Sequence, residues 1–158
     1  METLNHYSKT QHIFRILLGC LLIFTGIGHL TFVRTDFLAQ VPEWVPLQDN
    51  LVVLLSGIVE IAIGLSLLLL KRYRVTVGWV AAIFFIAIFP GNYAQYANHV
   101  DAFGLNSDTL RLTRLFLHPL LVIWPLWSCG SWAALRKSEA SKQIDDIQHK
   151  TGRGLENN

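Results

Sequence analysis

The chain has 158 residues, of which 52% are hydrophobic and 15% charged, and its formal net charge is +2. With a mean hydropathy of +0.39, this composition is typical of an integral membrane protein with one small domain, and it gives no indication of a nucleic-acid-binding surface. Cys20 and Cys129 stand apart in the sequence, with no metal-ligand spacing around them. We therefore predict no metal site and no disulfide.

Four segments are long and apolar enough to cross a bilayer, which takes about 20 helical residues. They cover residues 13–30, 51–70, 75–96 and 112–134. We predict an all-α fold in which these segments form a transmembrane four-helix bundle, within a single domain of residues 1–137. The polar segment 138–158 is predicted to be a tail that frays in solvent. The third and fourth segments are less apolar, so a re-entrant or peripheral helix is the alternative for one of them.

The positions of lysine and arginine indicate the orientation of this bundle. Basic residues precede the first span, fill the second connection and follow the fourth span, whereas acidic residues dominate the first connection and begin the third. Because short basic loops stay on the cytoplasmic side, we predict that both termini lie in the cytoplasm. A cleaved signal peptide is the alternative for the first span, but residues 25–28 lack the Ala-x-Ala pattern of a cleavage site.

Seven polar side chains interrupt the spans, all within or near the halves predicted to face outward. Ionisable groups are costly in hydrocarbon unless they are paired or hydrated, so they mark a candidate site. The seven residues are His29, Glu60, Asn92, Gln95, Arg111, Arg114 and His118. We predict that all four helices contribute to one outward-opening cavity.

Glu60 and His118 are the candidate catalytic residues. With a rise of about 1.5 Å per residue, both lie roughly 15 Å below the outer ends of their helices, where they could act as acid and base. Gly57 and Gly64 share a helix face with Glu60 and predict the close approach of a neighbouring helix. The alternative is a structural one, in which Glu60 and Arg114 form a buried ion pair that fixes the register of the helices.

The other five residues are candidates for ligand binding: His29, Asn92, Gln95, Arg111 and Arg114. The two arginines, three residues apart, could fork onto a sulfur oxyanion or a carboxylate. Pro90 removes one helical hydrogen bond and leaves a carbonyl free to accept from a ligand or water. As alternatives, Arg111 is an interfacial anchor and His29 a residue that ends a helix.

The connection between the first two spans, residues 31–48, is too apolar to hang free in water. We predict that it lies at the membrane interface as a lid, with Trp44 at the level of the headgroups. An interfacial anchor without gating is equally compatible with its composition.

Several short motifs occur in an order that resembles the DoxX family of small four-helix membrane proteins. The resemblance covers roughly residues 14–127, with departures at His118, where relatives often have Gln, and at Gly91, where they often have Ala. Its motifs are Gly26-Ile27-Gly28-His29 with Phe32, Val41-Pro42 through Pro46, Ser56-Gly57-Ile58-Val59-Glu60 with Gly64, Phe89-Pro90-Gly91-Asn92, and Arg111-Leu112-Thr113-Arg114 running into His118, Ile123 and Trp124.

This resemblance implies a four-helix bundle in the inner, cytoplasmic membrane and a subunit of a quinone-linked membrane oxidoreductase. It further implies an isoprenoid quinone as ligand, with no covalently bound cofactor, and a soluble redox partner. Arg114 and His118 would then donate to one quinone carbonyl, and Asn92 or Gln95 to the other. The alternative function is a non-enzymatic binder of a lipid or small anionic molecule, a transporter or an assembly factor. Contacts with membrane lipids, and a homo-oligomer, are compatible with either function.

Overall fold

The computed structural model describes the backbone of residues 7–156 and the side chains of residues 7–136, 138–144 and 147–148. This part of the chain is helical and contains no β-strand, which confirms the all-α prediction. Its helices are α1 (Lys9–Leu30), α2 (Arg34–Leu38), α3 (Asp49–Leu69), α4 (Arg74–Ala97), α5 (Asp108–Ser128) and α6 (Ser131–Glu156), with a 3₁₀ turn at Lys71–Tyr73 before α4.

In the part of the chain that the structure describes, three helical segments are long and apolar enough to cross a membrane. A bent pair of helices adds a fourth segment if the pair is counted as one span. The three are Lys9–Leu30, Asp49–Leu69 and Lys71–Ala97. The bent pair consists of Asp108–Ser128 and Ser131–Ile144, whose axes differ by 64°. The outward faces of these helices carry many large apolar side chains. The structure therefore supports the four predicted segments at the level of length and composition.

The fourth segment ends earlier than predicted. Residues 112–134 were expected to form one helix, but α5 stops at Ser128. Gly130 has a φ of +73°, a conformation that glycine adopts far more readily than other residues. The Ser131 hydroxyl then donates to the Val75 carbonyl over 2.9 Å and fixes the start of α6. The glycine thus turns the chain away from the axis of α5.

The tail also differs from its prediction. Residues 138–158 were expected to fray, but α6 remains helical to Glu156, and residues 157–158 lie outside the described part. Nine of the 21 residues of this segment are Ala, Leu, Arg, Lys, Gln or Glu, which have high intrinsic helix propensity. Its polarity therefore opposes burial without opposing helix formation.

Helix α1 packs mainly on α3, and α4 mainly on α5. Two pairs of glycines let α1 and α3 approach closely. A Cβ added at Gly26 would lie 2.8 Å from the Gly57 carbonyl oxygen, and one added at Gly64 would lie 2.7 Å from the Gly19 carbonyl oxygen. The glycines in each helix are seven residues apart, so both lie on one face. This confirms the close approach predicted from Gly57 and Gly64.

The apolar core fills the half of the bundle that is nearer the chain termini. It contains Leu18, Leu22, Ile63, Leu67, Val77, Ala81, Phe85 and Cys129. Arg15 is buried beside this core and donates through Nη1 to the Leu67 carbonyl near the end of α3, where a cation is favoured by the helix dipole. The polar residues singled out from the sequence lie in the other half, which we call the connection end because residues 31–48 and 98–107 cover it.

Candidate functional site

The two connections contact each other across the connection end. The Asp36 carboxylate accepts a hydrogen bond from the Phe103 backbone N–H over 3.1 Å. The Phe37 ring meets the Phe103 ring edge to face, with centroids 4.7 Å apart. Phe103 and Gly104 both have positive φ values, +56° and +70°. Residues 31–48 and 98–107 therefore pack against each other over this end of the bundle.

Arg114 lies in this end of the bundle with neutral partners. Its guanidinium donates to the Gln95 side-chain oxygen over 3.1 Å and to the Gln40 side-chain oxygen over 3.3 Å, and it lies 4.6 Å above the Phe103 ring centroid. Among the described residues no carboxylate lies within 4.0 Å of it. The ion pair with Glu60 considered above is therefore not formed, and amide dipoles and an aromatic face surround the charge.

Gln95 extends this cluster to the second connection, since its side-chain NH₂ donates to the Ala102 carbonyl over 3.2 Å. Gln40 donates in turn to the Gln95 side-chain oxygen. Sequence reasoning missed Gln40, although it is one of two amide side chains, with Gln48, in the largely apolar connection of residues 31–48. We call Gln40, Gln95, Phe103 and Arg114 the clasp, because they join both connections to α4 and α5.

His118 lies one turn further along α5 and uses both ring nitrogens. Nε2 lies 2.8 Å from the Phe85 carbonyl oxygen, and Nδ1 lies 2.6 Å from the Asn92 side-chain nitrogen. Because a carbonyl only accepts, Nε2 carries the hydrogen and Nδ1 accepts from Asn92. This assigns the neutral tautomer. An acid-base role for His118 would require one of these bonds to break.

Glu60 lies beside His29, between α1 and α3. The His29 Nε2 and Glu60 Oε2 atoms are 3.5 Å apart, and the two side chains are only 9% and 6% exposed. Phe37 stacks on the His29 ring with centroids 3.4 Å apart and planes 16° from parallel. Glu60 is thus paired with His29, while His118 belongs to the cluster between α4 and α5.

Arg111 occupies the mouth of the connection end. It is buried, and it donates to the carboxylates of Asp101 and Asp108, the latter over 2.6 Å, and to the Val100 carbonyl over 3.1 Å. Asp108 is also 2.7 Å from the His99 ring. The Arg111 guanidinium therefore holds residues 98–107 against the start of α5. It does not form a shared anion-binding site with Arg114.

A groove of about 330 Å³ runs between α4 and α5 on the outside of the bundle. It is lined by Ile86, Phe89, His118, Pro119, Val122 and Ile123. Its volume is at the lower end of the range for small-molecule sites. Pro90 has no N–H to offer the Ile86 carbonyl, so one helical hydrogen bond is missing in the groove wall. Helix α4 continues through Pro90 without a break.

The predicted residues are thus divided among three clusters instead of lining one cavity. The cluster between α4 and α5 contains Asn92, Gln95, Arg114 and His118. His29 and Glu60 form the second, and Arg111 belongs to the third. Helical periodicity placed these residues at one end of the bundle, but the residues that partner them in the connections had no periodic signal.

In a comparison with protein families, residues 18–129 match a domain of unknown function (DUF8561). The expected membership of the DoxX family is therefore wrong. The motifs that suggested it are short and consist of residues that many apolar bundles share, such as glycines at helix contacts. No curated protein and no solved structure matches the chain.

Proposed function

The chain belongs to the DUF8561 family, whose description assigns no activity, and we propose from its geometry that the protein is a membrane-embedded binder of an amphiphilic small molecule. The groove between α4 and α5 carries this proposal. It is apolar, it is open to the side of the bundle, and it has His118 in its wall. A molecule dissolved in the bilayer could enter it sideways, without passing through the aqueous phase.

We propose that the bundle spans the cytoplasmic membrane with both termini inside. The apolar outward faces of the helices suit lipid. In this orientation Lys71, Arg72 and Arg74 lie on the cytoplasmic side, as basic loops prefer, and the clasp lies towards the outside.

Cysteine labelling in intact cells tests this orientation. In a Cys20→Ala background, Glu43→Cys should react with a membrane-impermeant maleimide, whereas Ser138→Cys should react only after permeabilisation. Both positions are in parts of the chain that the structure describes, and Ser138 is exposed. The reverse pattern would invert the orientation. Labelling of both cysteines in intact cells would contradict an even number of spans.

The proposed ligand has an apolar chain and a small polar head. The chain would lie against Ile86, Val122 and Ile123, and the head would lie near His118, where polar residues begin. The exposed fractions of Ile86 and Ile123, 59% and 50%, support access from the side. Arg114, one turn from His118, would add a positive potential that favours an electron-rich head group.

An isoprenoid quinone fits this chemical description, and so do other lipids with a polar head. A quinone-linked oxidoreductase role, with a soluble redox partner, has lost the family resemblance that suggested it. The arrangement of His118, with both ring nitrogens bonded, favours binding over acid-base catalysis. A non-enzymatic role is therefore the function that the site supports best.

A photoreactive lipid tests where the ligand binds. The protein in proteoliposomes would be irradiated with a fatty acid that carries a diazirine in its chain, and adducts would be mapped by peptide mass spectrometry. We expect adducts on the groove-lining positions of α4 and α5 to exceed those on the apolar outward face of α3, and an excess of unlabelled lipid to suppress them. Equal, non-competable labelling of all outward faces would overturn the proposal.

A further inference from the structure

The pair formed by His29 and Glu60 is not explained by ligand binding in the groove. Both side chains are more than nine-tenths buried. Their closest approach, 3.5 Å between Nε2 and Oε2, is too long for a good hydrogen bond. His29 Nδ1 and Glu60 Oε2 are buried without a hydrogen-bond partner among the described residues. Buried polar atoms are rarely left without a partner, so these two atoms are free to bind a further group.

We propose that His29 and Glu60 form a binding site for one exchangeable proton inside the bundle, and that Phe37 covers it. With a neutral imidazole and an ionised carboxylate, the pair has a charge of −1. With one proton added it is neutral overall, either as a carboxylic acid beside an imidazole or as a carboxylate beside an imidazolium. A buried unpaired charge is strongly disfavoured, so burial favours the state that holds the proton.

The charged and titratable groups on neighbouring elements are committed elsewhere. On α1, Arg15 bonds to His12 and to the Leu67 carbonyl. On α2, Arg34 bonds to Asn50, and Asp36 accepts from the Phe103 N–H. On α5, Arg111 bonds to two aspartates, Arg114 to two glutamines, and His118 to Asn92 and the Phe85 carbonyl. Within the described residues, His29 is the one basic group within 4.0 Å of the Glu60 carboxylate. The proton therefore has no competing counter-charge at the pair.

Phe37 lies between the pair and the second connection. Its ring lies flat on His29 and edge to face with Phe103, and it belongs to the five-residue helix α2. An aromatic face also stabilises a cation placed over it, which would favour the imidazolium form. Displacement of this one ring would open His29 towards the side that the two connections cover. Phe37 thus covers the pair on the side that faces Phe103.

Infrared difference spectroscopy between acidic and alkaline pH tests the proton. In proteoliposomes of the full chain, we expect the carbonyl band of a protonated carboxylic acid, or the ring band of an imidazolium, to be lost as pH rises. Glu60→Gln should remove one component of the carboxylic-acid band, or His29→Gln one component of the imidazolium band, from the total given by the 11 acidic side chains and six histidines of the chain. If the difference spectra of both folded variants matched that of the wild type in these two regions, the proposal would be overturned, because the pair would then exchange no proton.

Carbodiimide labelling tests the cover. Dicyclohexylcarbodiimide partitions into the bilayer and reacts with protonated carboxyl groups, so we expect one adduct on Glu60 that forms faster in Phe37→Ala, by about tenfold if the ring contributes 1.4 kcal/mol to closure. Phe32→Ala is the matched control, since Phe32 lies in the same connection and is 63% exposed. Equal rates in the two variants would overturn the role of Phe37. If the infrared experiment has shown the exchangeable proton, equal labelling rates would leave the proton site in place and remove only the role of Phe37. The ligand-binding groove is tested separately, by lipid labelling.

Discussion

The substitution Gly64→Leu should prevent α1 and α3 from forming their native contact. A Cβ at this position would lie 2.7 Å from the Gly19 carbonyl oxygen and 2.8 Å from the Ile23 Cγ1 atom. The first of these is a backbone atom, so the clash can be relieved only by separating the helices. The smaller change Gly64→Ala should lower the free energy of unfolding by about 1–3 kcal/mol. Unfolding in mixed detergent micelles, followed by circular dichroism, measures both effects.

Ala62→Leu is the matched control for this prediction. Ala62 lies two residues from Gly64 on the same helix, but it is exposed on the outward face. The substitution Ala62→Leu introduces the same side chain as Gly64→Leu but without a backbone clash. It should leave the free energy of unfolding within about 0.5 kcal/mol of the wild type. If Gly64→Leu were as stable as Ala62→Leu, the glycine contact between α1 and α3 could not be as close as described.

The substitution Arg114→Met should loosen the connection end. Methionine keeps an unbranched side chain but loses the donors that hold the oxygens of Gln40 and Gln95. The Gln40 oxygen would then be left without its donor in a buried setting, which typically costs about 1–3 kcal/mol. We expect a loss of stability in this range and faster amide hydrogen exchange in residues 98–107, measured by mass spectrometry.

Arg34→Met controls for the loss of an arginine near the same end. Arg34 bonds only to the Asn50 side chain among the described contacts, and that bond is exposed. Its loss should change stability by less than about 0.5 kcal/mol. Identical exchange rates in the wild type and Arg114→Met would contradict the role of the clasp.

Much of the fold could be predicted from the sequence because long apolar segments and helical periodicity are local signals. The glycine stripe of α3 predicted a close helix contact for the same reason. The end of α5 was missed because Gly130 lies within a stretch that has no Asp, Glu, Lys or Arg between Arg114 and Arg136, where hydropathy alone favours a continuous helix. The helical tail was missed because polarity was taken as a sign of fraying, although residues such as Ala, Lys and Glu favour helices in water.

The candidate site was harder to predict than the fold, because the partners of its residues lie in the connections. Periodicity brought Glu60 and His118 to similar depths, but it did not determine which neighbour each would face. Phe37, Gln40 and Phe103 make the decisive contacts. Phe37 lies in a five-residue helix, and Gln40 and Phe103 lie in irregular segments. Such short segments have no periodic pattern in the sequence that predicts where their side chains point.

Mass spectrometry of lipids that co-purify with the protein in mild detergent would test the binding proposal most directly. The decisive comparison uses Val122→Trp, which fills the groove, and Val80→Trp, which adds the same ring to a position on α4 that is 47% exposed and outside the groove. We predict one retained amphiphile in the wild type and in Val80→Trp, with at least about a tenfold loss in a folded Val122→Trp. A retained quinone would renew the case for a quinone-linked role, and another lipid would support non-enzymatic binding. No specifically retained molecule, or equal retention by all three proteins, would contradict the proposed function.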